Sequence, residues 1–181
     1  IMTVVLPQKI VTQQLVLREP RVADAARIFA AYTHSAEVSR YMVWRPHKEV
    51  AETEAFMAMC VEAWHSGTRY PFVLALKDAE ENPLGMVEAR PQSRTVDIGY
   101  VLAQTCWGRG FMPEAVLGLA EACLGQPGVF RVQATCDVEN RASVRVLEKA
   151  GFVKEGRLER YTVHPNISSE PRPCFIYAKC R

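Results

Sequence analysis

The chain has 181 residues, 49% of them hydrophobic and 23% charged, with a formal net charge of +2 at pH 7. That length suits one compact domain with a substantial core, and the near balance of charge, without a basic tract, argues against a nucleic-acid surface. No apolar run is long enough to span a membrane and no signal peptide opens the chain, so a single cytoplasmic domain over residues 2–181 is expected, with Ile1 as an added residue before a native Met2.

Leu15-Val16-Leu17 reads as a short strand. Asp24 to Tyr32 places Ala25, Ile28, Phe29 and Tyr32 at helical spacing, and a second short helix is expected to hold Val38 and Met42. Trp44-Arg45-Pro46 breaks the pattern, because proline disfavours helix for its predecessor. A longer helix follows, with Val50, Phe56, Met57, Cys60, Val61 and Trp64 on one broad face and Gly67 as its end. Pro71 to Leu76 and Leu84 to Val87 read as strands around a turn from Asp78 to Pro83, and Arg90 to Arg94 as another turn. Thr95 to Leu102 is the next strand. It leads through a glycine-bearing loop into a helix from Pro113 to about Leu124. Val129 to Cys136 is a strand, and Asn140 to Ala150 a helix closed by Gly151, since glycine accepts the left-handed conformation at a helix end. Phe152 to Arg157 and Phe175 to Lys179 complete a β-α-α-α-β-β-β-α-β-α-β-β order, that of a mixed α/β domain. The six cysteines, at 60, 106, 123, 136, 174 and 180, show no C-x-x-C pair and no zinc spacing. They read as mostly buried free thiols of a reducing compartment, and no metal is expected.

The run Gln104-Thr105-Cys106-Trp107-Gly108-Arg109-Gly110-Phe111-Met112-Pro113-Glu114-Ala115 carries the most chemistry. Two glycines at a strand-to-helix joint let the backbone turn tightly and expose several N–H groups at the positive end of a helix, an arrangement that binds phosphate. The loop lacks the Gly-Lys-Ser/Thr of a P-loop, and Pro113 stands where a dinucleotide fingerprint needs its third glycine. A ligand carrying a pyrophosphate is the functional expectation. An ordinary strand-to-helix turn with incidental glycines is the plain alternative.

Four blocks occur in the same order as in a known family: Leu15 to Pro20 with Asp24-Ala25-Ala26; Asp97 to Leu102 with Trp107-Gly108-Arg109-Gly110-Phe111 and Glu114-Ala115; Asn140 to Phe152; and Cys174 to Lys179. With these blocks the chain resembles the GNAT superfamily of N-acetyltransferases, in its RimJ/RimL-like, ribosomal-protein N-terminal acetyltransferase branch. The resemblance implies the GNAT fold, an α/β domain with a twisted, mixed, mostly antiparallel sheet and helices on both faces. It implies acetyl-CoA as cosubstrate and direct attack by a primary amine in a ternary complex, the amine being a peptide or protein N-terminus. Alternatives are a small-molecule acceptor, such as an amino acid, polyamine or antibiotic, and a non-catalytic CoA-binding sensor.

Residue roles follow from the resemblance. Backbone groups of Tyr100, Val101 and Leu102 would pair with the pantetheine arm, and the N–H of Val101 or Leu102 would polarise the thioester oxygen. The pyrophosphate would sit on the N–H groups of Trp107, Gly108, Arg109, Gly110, Phe111 and Met112; Thr105 stands where many members carry Arg or Gln. Asn140 would bond the pantetheine amide and Ser143 would lie near the sulfur, against the plain reading of a helix cap. Leu147 replaces the family's acid tyrosine, leaving Ser143 as the substitute. Asp97 is the expected general base with Glu88 as competitor, and either reads equally as a solvated carboxylate on a strand. Tyr41, Trp44 and Tyr161 are the expected acceptor contacts, with Arg45, His47, His164 and Asn166 in the same two segments. Cys106 adjoins the loop but has no histidine beside it, so burial is its simpler role. A homodimer through an exposed late strand is also expected.

Overall fold

The protein is described from a computed structural model covering residues 4–181; the expected start at Met2 lies outside the described residues. Eight strands form one sheet: β1 (Lys9–Val11), β2 (Leu15–Arg18), β3 (Tyr70–Leu76), β4 (Gly85–Gln92), β5 (Thr95–Leu102), β6 (Arg131–Asp137), β7 (Val153–Thr162) and β8 (Arg172–Cys180). Their order is β1-β2-β3-β4-β5-β6-β8-β7, and every pairing is antiparallel except β5 with β6. The helices are α1 (Ala25–Ile28), α2 (Ala36–Ser39), α3 (Val50–Ser66), α4 (Phe111–Leu124) and α5 (Arg141–Lys149). α3 packs on β3, while α4 covers β4, β5 and β6 and abuts α5. Leu15, Leu17, Phe72, Leu74, Val87 and Leu119 are fully buried between these layers.

The expected element order holds, with five differences. β1 has no alternating apolar signal, and its backbone is held by β2. The expected helix over residues 24–32 is a chain of short turns: a 3-10 turn at Val22–Asp24, α1, and a π-turn at Phe29–Thr33. Asp24 takes part in a buried two-pronged pair with Arg18, at 2.9 and 2.7 Å, and also accepts from the Arg21 N–H. β4 runs through Arg90 and Pro91 where a turn is expected, so the turn shrinks to Ser93 and Arg94. Proline is tolerated there because β3 ends opposite Ala89, leaving β4 an edge strand on that side. β7 continues to Thr162 through two register shifts, beyond the expected end at Arg157. α4 begins at Phe111, two residues early, with Pro113 in the first turn where no N–H is needed.

The feature that positions the site is a parting of strands. β5 and β6 pair only at Thr95–Arg131, Val96–Val132 and Asp97–Gln133. Beyond Asp97 they diverge, and β5 keeps β4 on one side while its other edge opens.

Candidate active site

The open edge is made of particular backbone groups. The Ala103 N–H donates to the Leu84 carbonyl at 2.8 Å, so Ala103 faces β4. Backbone direction alternates along a strand, so Val101 faces β4 too and Tyr100 and Leu102 face the opening. The Val101 carbonyl comes so close to Gly85 that a Cβ there would lie 2.2 Å from it, which is why residue 85 has no side chain. The Leu102 carbonyl accepts from the Trp107 indole at 2.9 Å, leaving the N–H groups of Tyr100 and Leu102 for a ligand. Val101 nevertheless lines the cavity described below.

The glycine loop continues from this edge. Gly108 and Gly110 have φ of 73° and 78°, a left-handed conformation that favours glycine, and a Cβ built on either meets nothing within 4 Å. The loop therefore presents bare backbone to open space at the start of α4. Phe111 and Met112 are buried and anchor it, and the Arg109 guanidinium lies 4.7 Å from the Phe111 ring centre. Glu114, in the first helical turn, accepts from Thr12 Oγ1 and from the backbone and side-chain N–H groups of Gln14 at 2.5, 2.7 and 2.8 Å. Burial pushes its carboxyl up, but these bonds outweigh it and hold the group below the usual carboxylate range. The loop is thus braced from the β1–β2 turn.

Across the opening stands the start of α5. Asn140 is its N-cap, with Oδ1 accepting from the Ser143 N–H at 3.2 Å, so the plain cap reading holds at that atom while Nδ2 remains for a ligand. The Tyr100 hydroxyl lies 2.6 Å from Ser143 Oγ, a contact that sequence reasoning missed because it joins residues 43 apart. Burial is the main cause raising the Tyr100 phenol well above its ordinary value, so it stays protonated. Burial likewise pushes the nearby Cys136 thiol up to about 11, and that of Cys60 up to about 12. Neither is an activated thiolate.

The two candidate bases are differently placed. Asp97 Oδ1 accepts from Gln133 Nε2 at 2.7 Å, and Gln133 Oε1 in turn accepts from Arg131 Nε at 2.7 Å, whose guanidinium is bound to Glu155. This chain fixes the carboxylate and leaves Oδ2 without a protein partner among the described residues. Glu88 has both oxygens engaged, by Arg69 at 2.6 Å and Arg90 at 3.2 Å. Strand alternation turns Asp97, Gly99 and Glu88 to one face of the sheet and Tyr100 to the other, so Asp97 and Ser143 stand on opposite sides of the opening.

Both border an open cavity of about 570 Å³ that Tyr41, Trp44 and Tyr161 also line, together with Glu88, Tyr100, Val101 and Asn140. Leu102 and residues 107–112 lie outside it, along the route from the glycine loop. Its far wall is aromatic: Trp44 and His47 rings are 5.6 Å apart and His47 and Phe56 6.2 Å. The wall is held from a distance. Asn166 donates to the carbonyls of Ser39 and Trp44 at 2.7 and 2.8 Å, and His164 meets the Tyr41 ring edge-on. His47 Nδ1 pairs with Thr53 at 2.7 Å, itself bonded to Thr33. Behind His164 the buried Asp137 accepts from Arg172 at 2.6 Å. Arg69 and Arg90 also line the cavity; no motif marks them, because only the β3–β4 register brings them together. Among the described residues no group of three or more His, Cys, Asp or Glu is placed to hold a metal ion, and no helix is long and apolar enough to cross a membrane.

Residues 14–153 match the family model of the acetyltransferase (GNAT) domain. The chain belongs to the GNAT acetyltransferase family. GNAT relatives include the uncharacterized N-acetyltransferase p20 of Bacillus licheniformis, 28% identical over 152 residues, which span 83% of this chain and 85% of that protein. Among solved structures the fold is similar to the Microcin C7 self immunity acetyltransferase MccE in complex with acetyl-CoA and AMP, with a TM-score of 0.84 at 18% identity, covering 93% of each chain. It is similar also to Mycobacterium smegmatis RimJ in complex with CoA-disulfide, with a TM-score of 0.83 at 21% identity, covering 96% of this chain and 88% of that one. The protein is an acyltransferase that uses acetyl-CoA to acetylate an amine. The bare glycine loop, the parted strands and the free N–H groups of β5 fit a pyrophosphate followed by a pantetheine arm.

Proposed function

We propose that this GNAT enzyme acetylates a peptide or protein N-terminal amine, by direct attack within a ternary complex. The observation that carries the mechanism is the placement of Asp97 and Ser143 on opposite sides of the β5 opening. Asp97 Oδ2, held by the Gln133 chain, takes the proton from the incoming ammonium, directly or through one water. The N–H of Leu102, on the open edge, stabilises the charge that develops on the thioester oxygen. The Tyr100 phenol donates to Ser143 Oγ, which leaves the serine proton free to point at the departing sulfur. Ser143 thus orients the departing thiolate by a hydrogen bond, Tyr100 is the residue that positions it, and the thiolate is balanced by the second proton of the attacking amine, passed through water. The N–H groups of residues 107–112 take the pyrophosphate, and Asn140 Nδ2 donates to a pantetheine carbonyl. Cys136 and Cys60 stay protonated thiols, which supports transfer without an acyl-enzyme.

A chain-bearing amine suits the open mouth, where Tyr161 is 52% exposed. β7, at the edge of the sheet, is the strand through which a homodimer would pair; a single peak at monomer mass in light scattering would remove that part of the proposal. The enzyme reading is tested by acetyl-CoA calorimetry followed by thiol release against a peptide library. Tight binding with release on particular N-terminal residues is expected. Binding with no thiol released by any amine would instead make the protein a CoA sensor.

A further inference from the structure

Four side chains form a row across the acceptor face of the sheet. The β4–β5 register sets Arg90 opposite Asp97, and the β5–β6 register sets Gln133 beside Asp97. Tyr70 pairs with Ala89, so Arg69, one residue earlier, stands opposite Arg90. In the neighbouring row Glu88 faces Gly99 and reaches both guanidiniums, its Oε1 accepting from Arg69 Nη1 and its Oε2 from Arg90 Nη1. Glu88 is mostly buried, whereas the two arginine side chains are 37% and 42% exposed and line the cavity. Gly99 makes this possible: a Cβ there would lie 3.3 Å from both terminal nitrogens of Arg90, so the bare strand gives the guanidinium room against the β5 backbone.

The charges do not close. One carboxylate serves two cations, and each guanidinium has five donors of which Glu88 takes one. Neither has another acceptor among the described residues. Arg90 turns to Glu88 and away from Asp97, which leaves Asp97 Oδ2 open for an ammonium on the same face. Adjacent strands are about 4.8 Å apart, so an amine at Asp97 and an anion at Arg90 or Arg69 stand roughly 5–10 Å apart. That is the span between an α-amine and the side-chain carboxylate of Asp or Glu on the same or the next residue. Planar guanidiniums fixed side by side match a carboxylate by two parallel hydrogen bonds.

We propose that the acceptor carries a carboxylate close to its reacting amine, and that Arg69 and Arg90, held apart and in place by Glu88, bind it. The inference rests on the amine-acetyltransferase reading above. Within it Glu88 is a positioning residue for the arginine pair and not the base. The carboxylate comes from the side chain of Asp or Glu, either at the first two positions of a peptide or in a free acidic amino acid.

The test compares thiol release for matched acceptors: peptides starting Asp-Ala and Ser-Glu against Asn-Ala and Ser-Gln, and free aspartate and glutamate against asparagine and glutamine. Expected is a kcat/KM at least about tenfold higher for the carboxylate member, carried mainly by KM. The peptide or the amino-acid pair that shows it identifies the source. In Arg90→Gln and in Arg69→Gln the preference should collapse toward one, and Arg90→Glu should turn it toward acceptors with Lys at the second position. Two single variants at different strands, each checked by its melting curve, guard against a folding defect in either. Equal rates for matched pairs in the unmodified enzyme, with thiol released, would overturn the carboxylate proposal and leave the acetyltransferase reading standing. No release with any acceptor would overturn both.

Discussion

On the proposed reading, the coenzyme route and the acceptor cavity are built from different material. The donor side is backbone: the N–H groups of Tyr100 and Leu102, the bare turns at Gly108 and Gly110, and the start of α4. The acceptor side is side chain, with Trp44, His47, Phe56, Arg69, Arg90 and Tyr161 drawn from separate elements. Backbone recognition depends on conformation, so it survives most substitutions except those that change a glycine. Side-chain recognition depends on identity, so one substitution can redirect it.

The largest effect should come from breaking the donor side at its one sensitive kind of residue. Gly110→Val puts a branched side chain at a φ of 78° and fills the space before the loop. Acetyl-CoA affinity should fall by at least about 100-fold in calorimetry, as several hydrogen bonds to a charged group are lost together. Normal affinity with an intact melting transition would show that the loop is only structural. Asp97→Asn should lower kcat by about 100-fold while acetyl-CoA affinity stays the same. An unchanged rate would hand the base role to water.

Tyr100→Phe tests where the two sides meet. It removes the donor to Ser143 Oγ and leaves the ring in place, so kcat should drop by about tenfold with little change in either KM. Ser143→Ala should then cost no more in the Tyr100→Phe background than Tyr100→Phe alone. Full additivity of the two losses would separate the residues.

A smaller effect concerns pH and belongs to the acceptor wall. Burial is the main cause lowering the His164 pKa from its ordinary 6.5, with Asp137 pulling the other way. The unfolded chain therefore takes up a proton first as pH falls, and stability should decline from about pH 6.5 down to the lower folded value. Asp137 adds to this in the carboxylate range: burial raises its pKa, but Arg172 outweighs it and holds the carboxyl low, so its contribution is lost as pH falls through that value. His164→Gln should flatten the first decline in melting temperature, and an unaltered slope would assign it elsewhere. Smallest of all, Cys106→Ala should keep full activity, since Cys106 is a buried thiol without a histidine partner. A loss with acetyl-CoA binding intact would reopen covalent chemistry.

What the sequence made legible follows the same division. The left-handed turns at Gly108 and Gly110 and the Asn140–Ser143 cap could be read because glycine turns and helix caps leave a local pattern. The element order was readable from hydrophobic spacing. The continuation of β4 through Pro91 was not, since only the early end of β3 makes proline acceptable there. Nor was the broken helix at residues 22–33, where the Arg18–Asp24 pair fixes the turn. Tyr100 was assigned a backbone role, and its hydroxyl contact with Ser143 depends on how β5 leans toward α5. Arg69 and Arg90 lie 21 positions apart and meet only through strand register, so no window of sequence contains their relation.

The strand order also dictates a sequence of assembly. β8 follows β7 in the chain yet lies between β6 and β7, so β7 has no neighbour until β8 has emerged. Asn166 reaches back 127 positions to Ser39 and 122 to Trp44. During synthesis, β5, the glycine loop and α4 are all extruded before the clasp that closes the aromatic wall. On the proposed reading, a nascent chain therefore has its coenzyme route well before it has a mouth for the amine, and selectivity is the last property it acquires.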